Sequence, residues 1–324
     1  MRACISGIGI YVPDKILTNF DLEKIVDTSD EWIRTRSGIR ERRIAADATA
    51  TSDLAAHAAK KAIKSAAITP KEIEAIIVGT ATPDMLFPST ACLVQSKIGA
   101  QQIISFDISA GCTGFLYALT IAESFIKNGF DNVLVIGAES LSKIMDFTDR
   151  ATCVLFGDGA GAAVMKKTND ESGILSSYFA ADGNSWNLLY QPAGGSKIPA
   201  SHESVENRLH YIKMEGNEVF KLAVRAMAEA AIETLSRANI LPKEVDLLIP
   251  HQANIRIIEA TAKRLNIPMD RVAFNLDKYG NTSAASIPIA LEEAVQSGRI
   301  KKGDLVLMVA FGAGFTWGGV LMRW

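Results

Sequence analysis

The chain has 324 residues, of which 48% are hydrophobic and 22% are charged, proportions typical of a folded globular protein and not of a disordered one. Its 34 basic and 36 acidic residues leave a net charge of −2, so the overall charge gives no indication of a nucleic-acid partner. No apolar run reaches the ~20 residues of a membrane span, and the opening residues are too short an apolar run for a secretory signal. The length suits two domains or one large two-lobed body.

The four cysteines are far apart and form no CxxC pair: Cys4, Cys92, Cys112 and Cys153. This spacing excludes the usual arrangement of zinc ligands and argues against a disulfide framework in a chain of this size. The histidines show no HExxH spacing either. We therefore expect no metal site and a reducing, cytoplasmic location.

In chain order, strand and helix patterns alternate through the first half. We predict an opening strand, a capped helix starting at 28–31, an amphipathic helix over 52–67, a buried strand over 74–79, a helix from residue 90, a helix from Cys112 to Asn128, a strand over 132–137 and a Gly-rich turn and strand over 155–165. Pro and Gly then concentrate in 182–199, which we expect to connect two halves of the molecule.

The polar stretch 21–43 contains one tryptophan, Trp32, among five arginines: Arg34, Arg36, Arg40, Arg42 and Arg43. A solvated charged helix face is the ordinary interpretation of such a run. A large aromatic side chain set among arginines also suits stacking on a planar ring with phosphates nearby.

The second half repeats the first. Segment 58–79 aligns with 230–251, which places Pro70 over Pro242 at an offset of 172 residues, and strands 132–138 and 304–310 align at the same offset. The short buried β-branched runs indicate sheets covered on both faces. We predict an α/β fold made of two duplicated halves, 1–170 and 171–324, related by a pseudo-two-fold axis.

Cys112 lies where a short strand passes into an apolar helical pattern. A thiol at the first turn of a helix faces unpaired N–H groups and the positive end of the helix dipole, and both favour the thiolate. A free cysteine is equally typical of a protein core. At the offset of 172, however, Cys112 matches Ala284 and Gly79 matches His251, so the halves differ where chemistry would occur.

Two further residues complete a reactive set. The strand over 246–250 delivers His251 at its C-terminal end, where ligands of open α/β sheets bind, and a turn delivers Asn281 just before an Ala-rich helix. Taken singly, they read as a structural histidine and an N-cap. Together with Cys112 they form an acyl-transfer set, in which the thiolate accepts an acyl group and the other two donate hydrogen bonds to an enolate.

Other interpretations of the motifs are weaker. A papain-like protease uses the same three residue types, but its local sequence around the cysteine is missing and a duplicated α/β body is the wrong scaffold. The run GDGAGA at 157–162 is similar to a dinucleotide-binding loop, but it precedes a strand and not a helix.

The whole chain resembles the 3-oxoacyl-[acyl-carrier-protein] synthase III family of the thiolase superfamily. The motifs that carry the resemblance are DTSDEWIRTRSGIRERR, DISAGCTGFLYAL, LFGDGAGA, KMEGNEVFKLAV, PHQANIRI, KYGNTSAASIP and AFGAGFTWG. The resemblance implies a thiolase-like five-layered αβαβα body, a homodimer, no permanently bound cofactor and a coenzyme A thioester as substrate. One departure is Ala313, in a loop that often reads FGGGF in the family and supplies a backbone donor to the oxyanion hole.

The resemblance also implies residue roles. Cys112 would accept the acyl group, while His251 and Asn281 would promote malonyl decarboxylation and stabilise the resulting carbanion. Phe87 would reach the acyl pocket of the partner subunit. The residues implied to bind coenzyme A are Thr28, Trp32, Arg36, Arg150 and Asn254. Those implied to receive the acyl-carrier protein are Gln252, Arg256, Lys221, Lys263 and Arg264.

The implied reaction is the condensation that initiates type II fatty acid synthesis. A short acyl-CoA primer acylates the cysteine, and malonyl-[acyl-carrier protein] then loses CO2 and attacks, which yields 3-oxoacyl-[acyl-carrier protein], CoA and CO2. One alternative is a related acyltransferase that acts on CoA esters or secondary-metabolite acceptors. Another is an inactive acyl-CoA-binding subunit, against which the intact Cys, His and Asn set argues.

Overall fold

A computed structural model describes residues 2–324 of the chain. Its α-helices are α1 (Asn19–Leu22), α2 (Asp30–Ser37), α3 (Thr51–Ser65), α4 (Thr90–Ile98), α5 (Gly114–Lys127), α6 (Arg150–Cys153), α7 (His202–Glu206), α8 (Gly216–Arg237), α9 (Ile255–Leu265), α10 (Leu276–Tyr279) and α11 (Ser286–Gln296). Its strands are β1 (Arg2–Tyr11), β2 (Ile16–Thr18), β3 (Glu41–Arg43), β4 (Ala75–Gly79), β5 (Ile104–Ile108), β6 (Asn132–Ser140), β7 (Asp158–Thr168), β8 (Gly173–Ala181), β9 (Leu189–Tyr190), β10 (Lys213–Met214), β11 (Leu247–Pro250), β12 (Leu305–Gly312) and β13 (Thr316–Arg323).

Two mixed sheets form the body, one from each half of the chain. The first has the order β1-β7-β6-β4-β5, with β4 parallel to both neighbours and β7 antiparallel to both of its own. The second has the order β11-β12-β13-β8, in which β11 and β12 are parallel. A single parallel bridge between Leu248 and Val272 lies where the first sheet has β5.

Backbone details follow the duplication seen in the sequence. The 3₁₀ turns Pro70–Glu72 and Pro242–Glu244 occupy equivalent positions in the two halves. Left-handed residues recur as well, since Ala67 and Asn239 have φ values of 55° and 56°. The two halves are therefore copies of one chain path, and the duplication predicted from the sequence is present in the fold.

Five layers result from the way each strand divides its side chains between two faces. In β4, Ile76 and Val78 join the apolar core under α3 and α4, while Ile77 joins a central core with α5 and α11. In the second sheet, Leu248 faces the α8 and α9 side and Ile249 faces the central core. The alternation arises because successive side chains of a strand point to opposite faces. The thiolase-like αβαβα architecture predicted for the chain is confirmed.

Helix ends follow local chemistry. Ser29 caps α2 by accepting the Trp32 N–H, and Ser89 caps α4 in the same way through the Cys92 N–H. At the end of α2, Gly38 has φ 87°, and a Cβ there would lie 2.8 Å from the Ile255 Cβ. Glycine is required both for the left-handed turn and for the approach of α9.

The Pro- and Gly-rich stretch 182–199 does not connect the halves, so that expectation is wrong. The second sheet already begins with β8, and the chain passes between the sheets through residues 169–172. Residues 182–215 instead form an excursion within the second half, with its own two-stranded β9–β10 pair. Turn residues mark a change of direction, but they do not show which sheet the flanking strands join.

Candidate active site

Cys112 lies in the 3₁₀ turn Gly111–Thr113, directly before α5. Gly111 has φ 52°, and a Cβ on it would lie 2.9 Å from the Ala313 backbone nitrogen. Only glycine meets both requirements without strain. The turn thus holds the cysteine, which is 9% exposed, at the N-terminus of a helix in the central layer.

Burial governs the ionisation of the Cys112 thiol. Desolvation raises its pKa to about 12, while the Ser283 hydroxyl and the cysteine's own amide act in the opposite direction. The cysteine's own amide lowers the pKa of the thiol, as expected from its place at the helix start, but in the free protein the loss of solvent outweighs this effect. At neutral pH the thiol carries its proton, which must leave before Cys112 can act as a nucleophile.

His251 follows β11 and lies 2% exposed beside α11. Its Nδ1 is 2.7 Å from the Ser286 hydroxyl, which accepts the Gln252 N–H at 3.4 Å. Because that hydroxyl already accepts one proton, its own proton is available to Nδ1, and this arrangement favours the imidazole proton on Nε2. Burial lowers the pKa of His251 to about 3, so the ring is a neutral hydrogen-bond donor at physiological pH.

Asn281 joins the two halves through its backbone and orients its side chain through a local turn. Its N–H donates to the Leu155 carbonyl at 2.8 Å, and its carbonyl accepts the Gly157 N–H at 3.0 Å. The Asn281 Oδ1 accepts the Ser283 N–H at 2.8 Å. With the oxygen committed, the amide NH₂ is the group that can donate to a ligand.

These three side chains line one cavity of about 280 Å³. Apolar side chains such as Leu155, Phe156 and Phe311 form much of its wall, and charged residues including Arg36 and Arg256 also line it. The structure therefore brings together Cys112 from the first half with His251 and Asn281 from the second, as predicted from the sequence.

The last residue of β12 approaches the cysteine backbone. A Cβ on Gly312 would lie 2.5 Å from the Cys112 nitrogen, so glycine is needed for this approach. Ala313 is absent from the residues with positive φ in the described chain, 2–324. The methyl group therefore imposes no left-handed strain, and the departure from the FGGGF pattern expected from the resemblance leaves the backbone N–H intact.

Glu139 is a buried acid that sequence reasoning missed. It ends the apolar strand β6 with 0% exposure and accepts the Thr82 hydroxyl at 2.7 Å and the Ala81 N–H at 3.1 Å. Burial raises the pKa of Glu139 to about 7 against the pull of those two donors and of Ser283 and Ala284. The sequence does contain a signal for it: Glu139 is the one charged residue in the run NVLVIGAES, and charged residues are rare in buried strands.

Two arginines lie close to the Trp32 ring. The guanidinium carbon of Arg36 is 4.9 Å and that of Arg150 is 5.2 Å from the ring centroid. Nearby, the Thr28 hydroxyl is buried without a hydrogen-bond partner, and Arg150 donates to the Asp27 carbonyl at 2.8 Å. The Trp32 ring therefore contacts cations of its own chain, and the unpaired buried hydroxyl of Thr28 is a feature that a polar ligand would satisfy.

Two residues named from the sequence have internal hydrogen bonds. The Gln252 side chain is 1% exposed and bonds to the Pro250 carbonyl at 2.7 Å and the Asn275 N–H at 3.1 Å. The prediction that Gln252 meets the carrier protein is wrong, because its polar atoms are buried and paired. Asn254 caps α9 through the Arg256 N–H and donates to the Arg36 carbonyl, both at 2.9 Å.

Basic side chains are exposed on α8 and α9, and one of them, Arg256, also lines the cavity. Arg256 packs its guanidinium 5.0 Å from the Phe220 ring centroid. The exposed basic residues of α8 and α9 that were predicted from the sequence are Lys221, Lys263 and Arg264. Lys221 pairs with Glu218 at 2.7 Å, so part of its charge is already compensated.

Phe87 does not line the cavity of its own chain. It is 83% exposed, next to Leu86 at 78%, in the loop before α4. Such an apolar loop tip in water is costly unless another surface covers it.

No helix in residues 2–324 combines the length and apolar character needed to cross a membrane. Across the same residues, no three or more His, Cys, Asp and Glu side chains are grouped as metal ligands would be. All four cysteines are free.

Fold and site together define a thiolase-like condensing acyltransferase. Family models described as 3-Oxoacyl-[acyl-carrier-protein (ACP)] synthase III and its C-terminal part match residues 106–183 and 235–324. The chain is 60% identical to the beta-ketoacyl-[acyl-carrier-protein] synthase III of Caldanaerobacter subterraneus subsp. tengcongensis, over all of this chain and 98% of the relative. The chain therefore belongs to the 3-oxoacyl-[acyl-carrier-protein] synthase III family, as the motifs predicted.

Solved structures agree with this assignment. The crystal structure of 3-oxoacyl-[acyl-carrier-protein] synthase III from Aquifex aeolicus VF5 is 54% identical with a TM-score of 0.92, and the match covers 99% of this chain and 100% of that one. The priming beta-ketosynthase of the R1128 polyketide pathway is 33% identical, also with a TM-score of 0.92, covering 99% and 96%.

The raised pKa of Glu139 predicts a pH dependence of stability. The pKa of Glu139 is about 7 in the folded chain and has its ordinary value of 4.5 in the unfolded chain. Between pH 4.5 and pH 7, the carboxyl group therefore releases its proton in the unfolded chain and keeps it in the folded chain. The free energy of unfolding should therefore fall as pH rises through that window, by about 2–3 kcal/mol for this group. Glu139→Gln should remove this slope in denaturant titrations from pH 4.5 to 8. The exposed Glu259→Gln is the control and should retain it; parallel curves for wild type and Glu139→Gln would contradict the assignment.

Proposed function

We propose that the chain catalyses the decarboxylative Claisen condensation that initiates type II fatty acid synthesis. The observation that carries the proposal is the single cavity lined by Cys112, His251 and Asn281. A short acyl-CoA transfers its acyl group to Cys112 and releases CoA. Malonyl-[acyl-carrier protein] then enters, loses CO2 and attacks the acyl-cysteine. The products are a 3-oxoacyl-[acyl-carrier protein], CoA and CO2.

His251 and Asn281 are proposed to donate to the malonyl thioester oxygen as negative charge develops on it. A neutral imidazole suits this role. Burial lowers the pKa of His251 to about 3, so the ring is uncharged and donates a hydrogen bond from its N–H without transferring the proton. Preorganised donors of this kind are each worth about 3–4 kcal/mol in the transition state. For the acyl transfer itself, the backbone N–H groups of Cys112 and Ala313 would form the oxyanion hole.

Coenzyme A enters as the carrier of the primer and not as a resident cofactor. We propose that its adenine inserts between Trp32 and Arg150, with Thr28 and Arg36 at the nucleotide end and Asn254 along the pantetheine arm. Arg150 already stacks on the Trp32 ring at 5.2 Å, so the guanidinium would move aside and stack on the opposite face of the base.

The carrier protein is proposed to dock on the exposed basic residues Arg256, Lys221, Lys263 and Arg264. The chain as a whole has a net charge of −2, so a local basic patch is what would attract an acidic partner. Arg256 is the strongest of these candidates, because it is exposed and also lines the cavity.

We also propose that the chain acts as a homodimer in the cytoplasm. Two exposed features support a second copy: the apolar tip with Phe87, and the strand β5, which pairs with β4 alone at the edge of its sheet. An uncovered sheet edge readily pairs with another chain. In that arrangement Phe87 would enter the acyl pocket of the partner subunit.

A second candidate is a priming synthase for a secondary-metabolite pathway. The similarity to the R1128 priming beta-ketosynthase, with its TM-score of 0.92, favours keeping it. Both candidates use the same acyl-cysteine, so they differ in the acceptor and the primer. Competition between malonyl-carrier proteins of fatty acid and polyketide type separates them, and a preference for the polyketide carrier would favour the second.

The first prediction concerns the nucleophile. Wild-type protein incubated with acetyl-CoA or isobutyryl-CoA should gain the mass of one acyl group, and Cys112→Ala should gain none, because the attacking sulfur is gone. Intact-mass spectrometry measures this. Cys92→Ala, which removes an exposed thiol, should acylate like wild type. Equal acylation of Cys112→Ala, or no acylation of wild type, would refute the assignment.

The second prediction separates the two half-reactions. His251→Ala and Asn281→Ala should still form the acyl-enzyme, but each should lose about 10²–10³-fold in the rate of condensation with malonyl-[acyl-carrier protein], since each removes one donor to the enolate. CO2 release from labelled malonyl-carrier protein measures the rate. His57→Ala changes an exposed histidine outside the cavity and should behave as wild type. Undiminished condensation by either variant would remove its role.

The third prediction tests docking. Arg256→Glu should raise the KM for malonyl-[acyl-carrier protein] about tenfold and weaken its salt dependence, because an attractive contact becomes repulsive. Lys60→Glu makes the same charge change on α3, away from the cavity, and serves as the control. An unchanged KM in Arg256→Glu would exclude this surface.

A further inference from the structure

Arg42 is a charged side chain that the proposed reaction leaves unused, and it lies entirely inside the protein. It is the middle residue of the short strand β3 and is 0% exposed. None of the ion pairs among residues 2–324 includes it. Burial lowers the pKa of Arg42 to about 10, so the guanidinium still carries its charge at neutral pH. A cation buried without an anionic partner is costly, and this one calls for an explanation beyond packing.

The guanidinium of Arg42 donates to neutral oxygens on separate segments of the chain. Its Nη1 donates to the Leu17 carbonyl at 3.1 Å and to the Asn19 Oδ1 at 2.9 Å, and its Nη2 donates to the Val154 carbonyl at 2.7 Å. A planar guanidinium offers several donors in fixed directions, which a shorter or more flexible side chain does not. Arg42 therefore ties β2 and α1 to a segment that follows 112 residues later.

Asn19 anchors one side of this contact. Its amide nitrogen donates to the Asp30 Oδ1 at 2.9 Å and to the Ile39 carbonyl at 2.8 Å, so its oxygen is left to accept from Arg42. Asn19 is itself 0% exposed. With the guanidinium fixed from this side, its position determines where the Val154 carbonyl can lie.

The Val154 carbonyl belongs to the backbone that holds Asn281. Val154 is the C-cap of α6, and a carbonyl at the end of a helix needs a partner from outside it, which Arg42 supplies. The next residue, Leu155, accepts the Asn281 N–H at 2.8 Å, and the Gly157 N–H donates to the Asn281 carbonyl at 3.0 Å. The backbone bonds that place Asn281 therefore begin one residue beyond the carbonyl that Arg42 holds.

The stem of Arg42 packs against the residues on either side of this contact. A Cβ on Gly157 would lie 3.1 Å from the Arg42 Cβ, and one on Gly280 would lie 3.2 Å from it. Gly280 directly precedes Asn281 and has φ 63°, a value that favours glycine. Phe156 forms a single parallel bridge with Asn281. Arg42 thus contacts both backbone segments that meet at the active-site amide.

We propose that Arg42 is a positioning residue for Asn281: its guanidinium holds the Val154 carbonyl, and with it the 154–157 backbone, so that the Asn281 amide is presented to the cavity. The inference rests on the proposed function, in which that amide donates to the malonyl thioester oxygen. Arg42 is not among the residues that line the cavity, and it touches no substrate in this scheme.

The two half-reactions distinguish positioning from general stability. Asn281 acts in condensation, whereas acylation depends on Cys112, which a different turn, Gly111–Thr113, holds in place. Loss of Arg42 should therefore slow condensation and leave acylation at saturating acyl-CoA unchanged. A general loss of stability would instead lower both rates together, because it reduces the amount of folded protein.

The experiment measures the two rates separately in full-length Arg42→Met, which keeps an unbranched side chain but has no donor. Acylation by saturating acetyl-CoA is followed by intact mass, and the acyl-enzyme is then mixed with labelled malonyl-[acyl-carrier protein] to follow CO2 release. Acylation should proceed at the wild-type rate. Condensation should fall about 10²-fold, the cost of displacing a catalytic group by about 1 Å.

A double variant tests whether Arg42 acts through Asn281. In the Asn281→Ala background, Arg42→Met should slow condensation no further, because the group that Arg42 positions is already missing. Arg42→Lys keeps the charge and one compact donor, and its condensation rate should lie between those of wild type and Arg42→Met. If Arg42→Met does not fold, Arg42→Lys carries the same comparison of the two half-reactions.

Two control variants are matched to Arg42→Met. Arg237→Met removes an exposed arginine that also donates to a carbonyl, that of Ser177 at 3.1 Å, and it should leave both rates unchanged. Ile73→Ala opens a cavity in the apolar core shared with α3 and α4, so it should lower the melting temperature without changing the ratio of the two rates.

The outcomes separate the two levels of inference. Undiminished condensation by the folded Arg42 variants, an equal loss in both half-reactions, or effects that multiply in the double variant would overturn the positioning role and leave the condensing function standing. Failure of the wild-type protein to acylate with any short acyl-CoA would instead overturn the proposed function itself.

Discussion

The structure depends on the close approach of two equivalent turns, one from each half, in the central layer. Gly111–Thr113 precedes α5 and Ser283–Ala285 precedes α11. A Cβ on Gly114 would lie 3.5 Å from the Ala284 Cβ, and one on Gly137 would overlap the Ala284 carbonyl oxygen. Since interiors tolerate little added volume, small residues at this junction bring Cys112 within reach of groups from the other half. The reaction site exists because the halves can touch here.

Burial then sets the charge state of the site. Loss of solvent raises the pKa of Cys112 to about 12 and of Glu139 to about 7, and lowers that of His251 to about 3. The thiol and the imidazole are thus neutral at physiological pH. His251 therefore acts as a hydrogen-bond donor and not as a general acid. A site that disfavours isolated charge in its resting state gives its fixed donors a large effect when charge develops during reaction.

The two halves share one fold but differ in the residues that form the candidate active site. Corresponding positions hold Cys112 and Ala284 in one pair, and Gly79 and His251 in another. Each difference lies at the junction of the halves, while the apolar strands behind it keep the same pattern. A site shared across the pseudo-two-fold axis needs only one nucleophile and one set of hydrogen-bond donors. The positions that correspond to Cys112 and His251 in the other half therefore hold the small residues Ala284 and Gly79.

Local patterns in the sequence were sufficient for the duplicated α/β fold, the helix starts at Ser29 and Ser89, and the set of Cys112, His251 and Asn281. Those features depend on hydrophobic periodicity, on helix-capping residues and on the constant offset between the two halves. Each of these is encoded in a short stretch of sequence or in the internal repeat. The tertiary structure alone decided that Gln252, Cys112 and Glu139 are buried and that the 182–199 stretch stays within the second half. Burial and ionisation depend on contacts between residues far apart in the chain, and no local pattern records which surfaces meet.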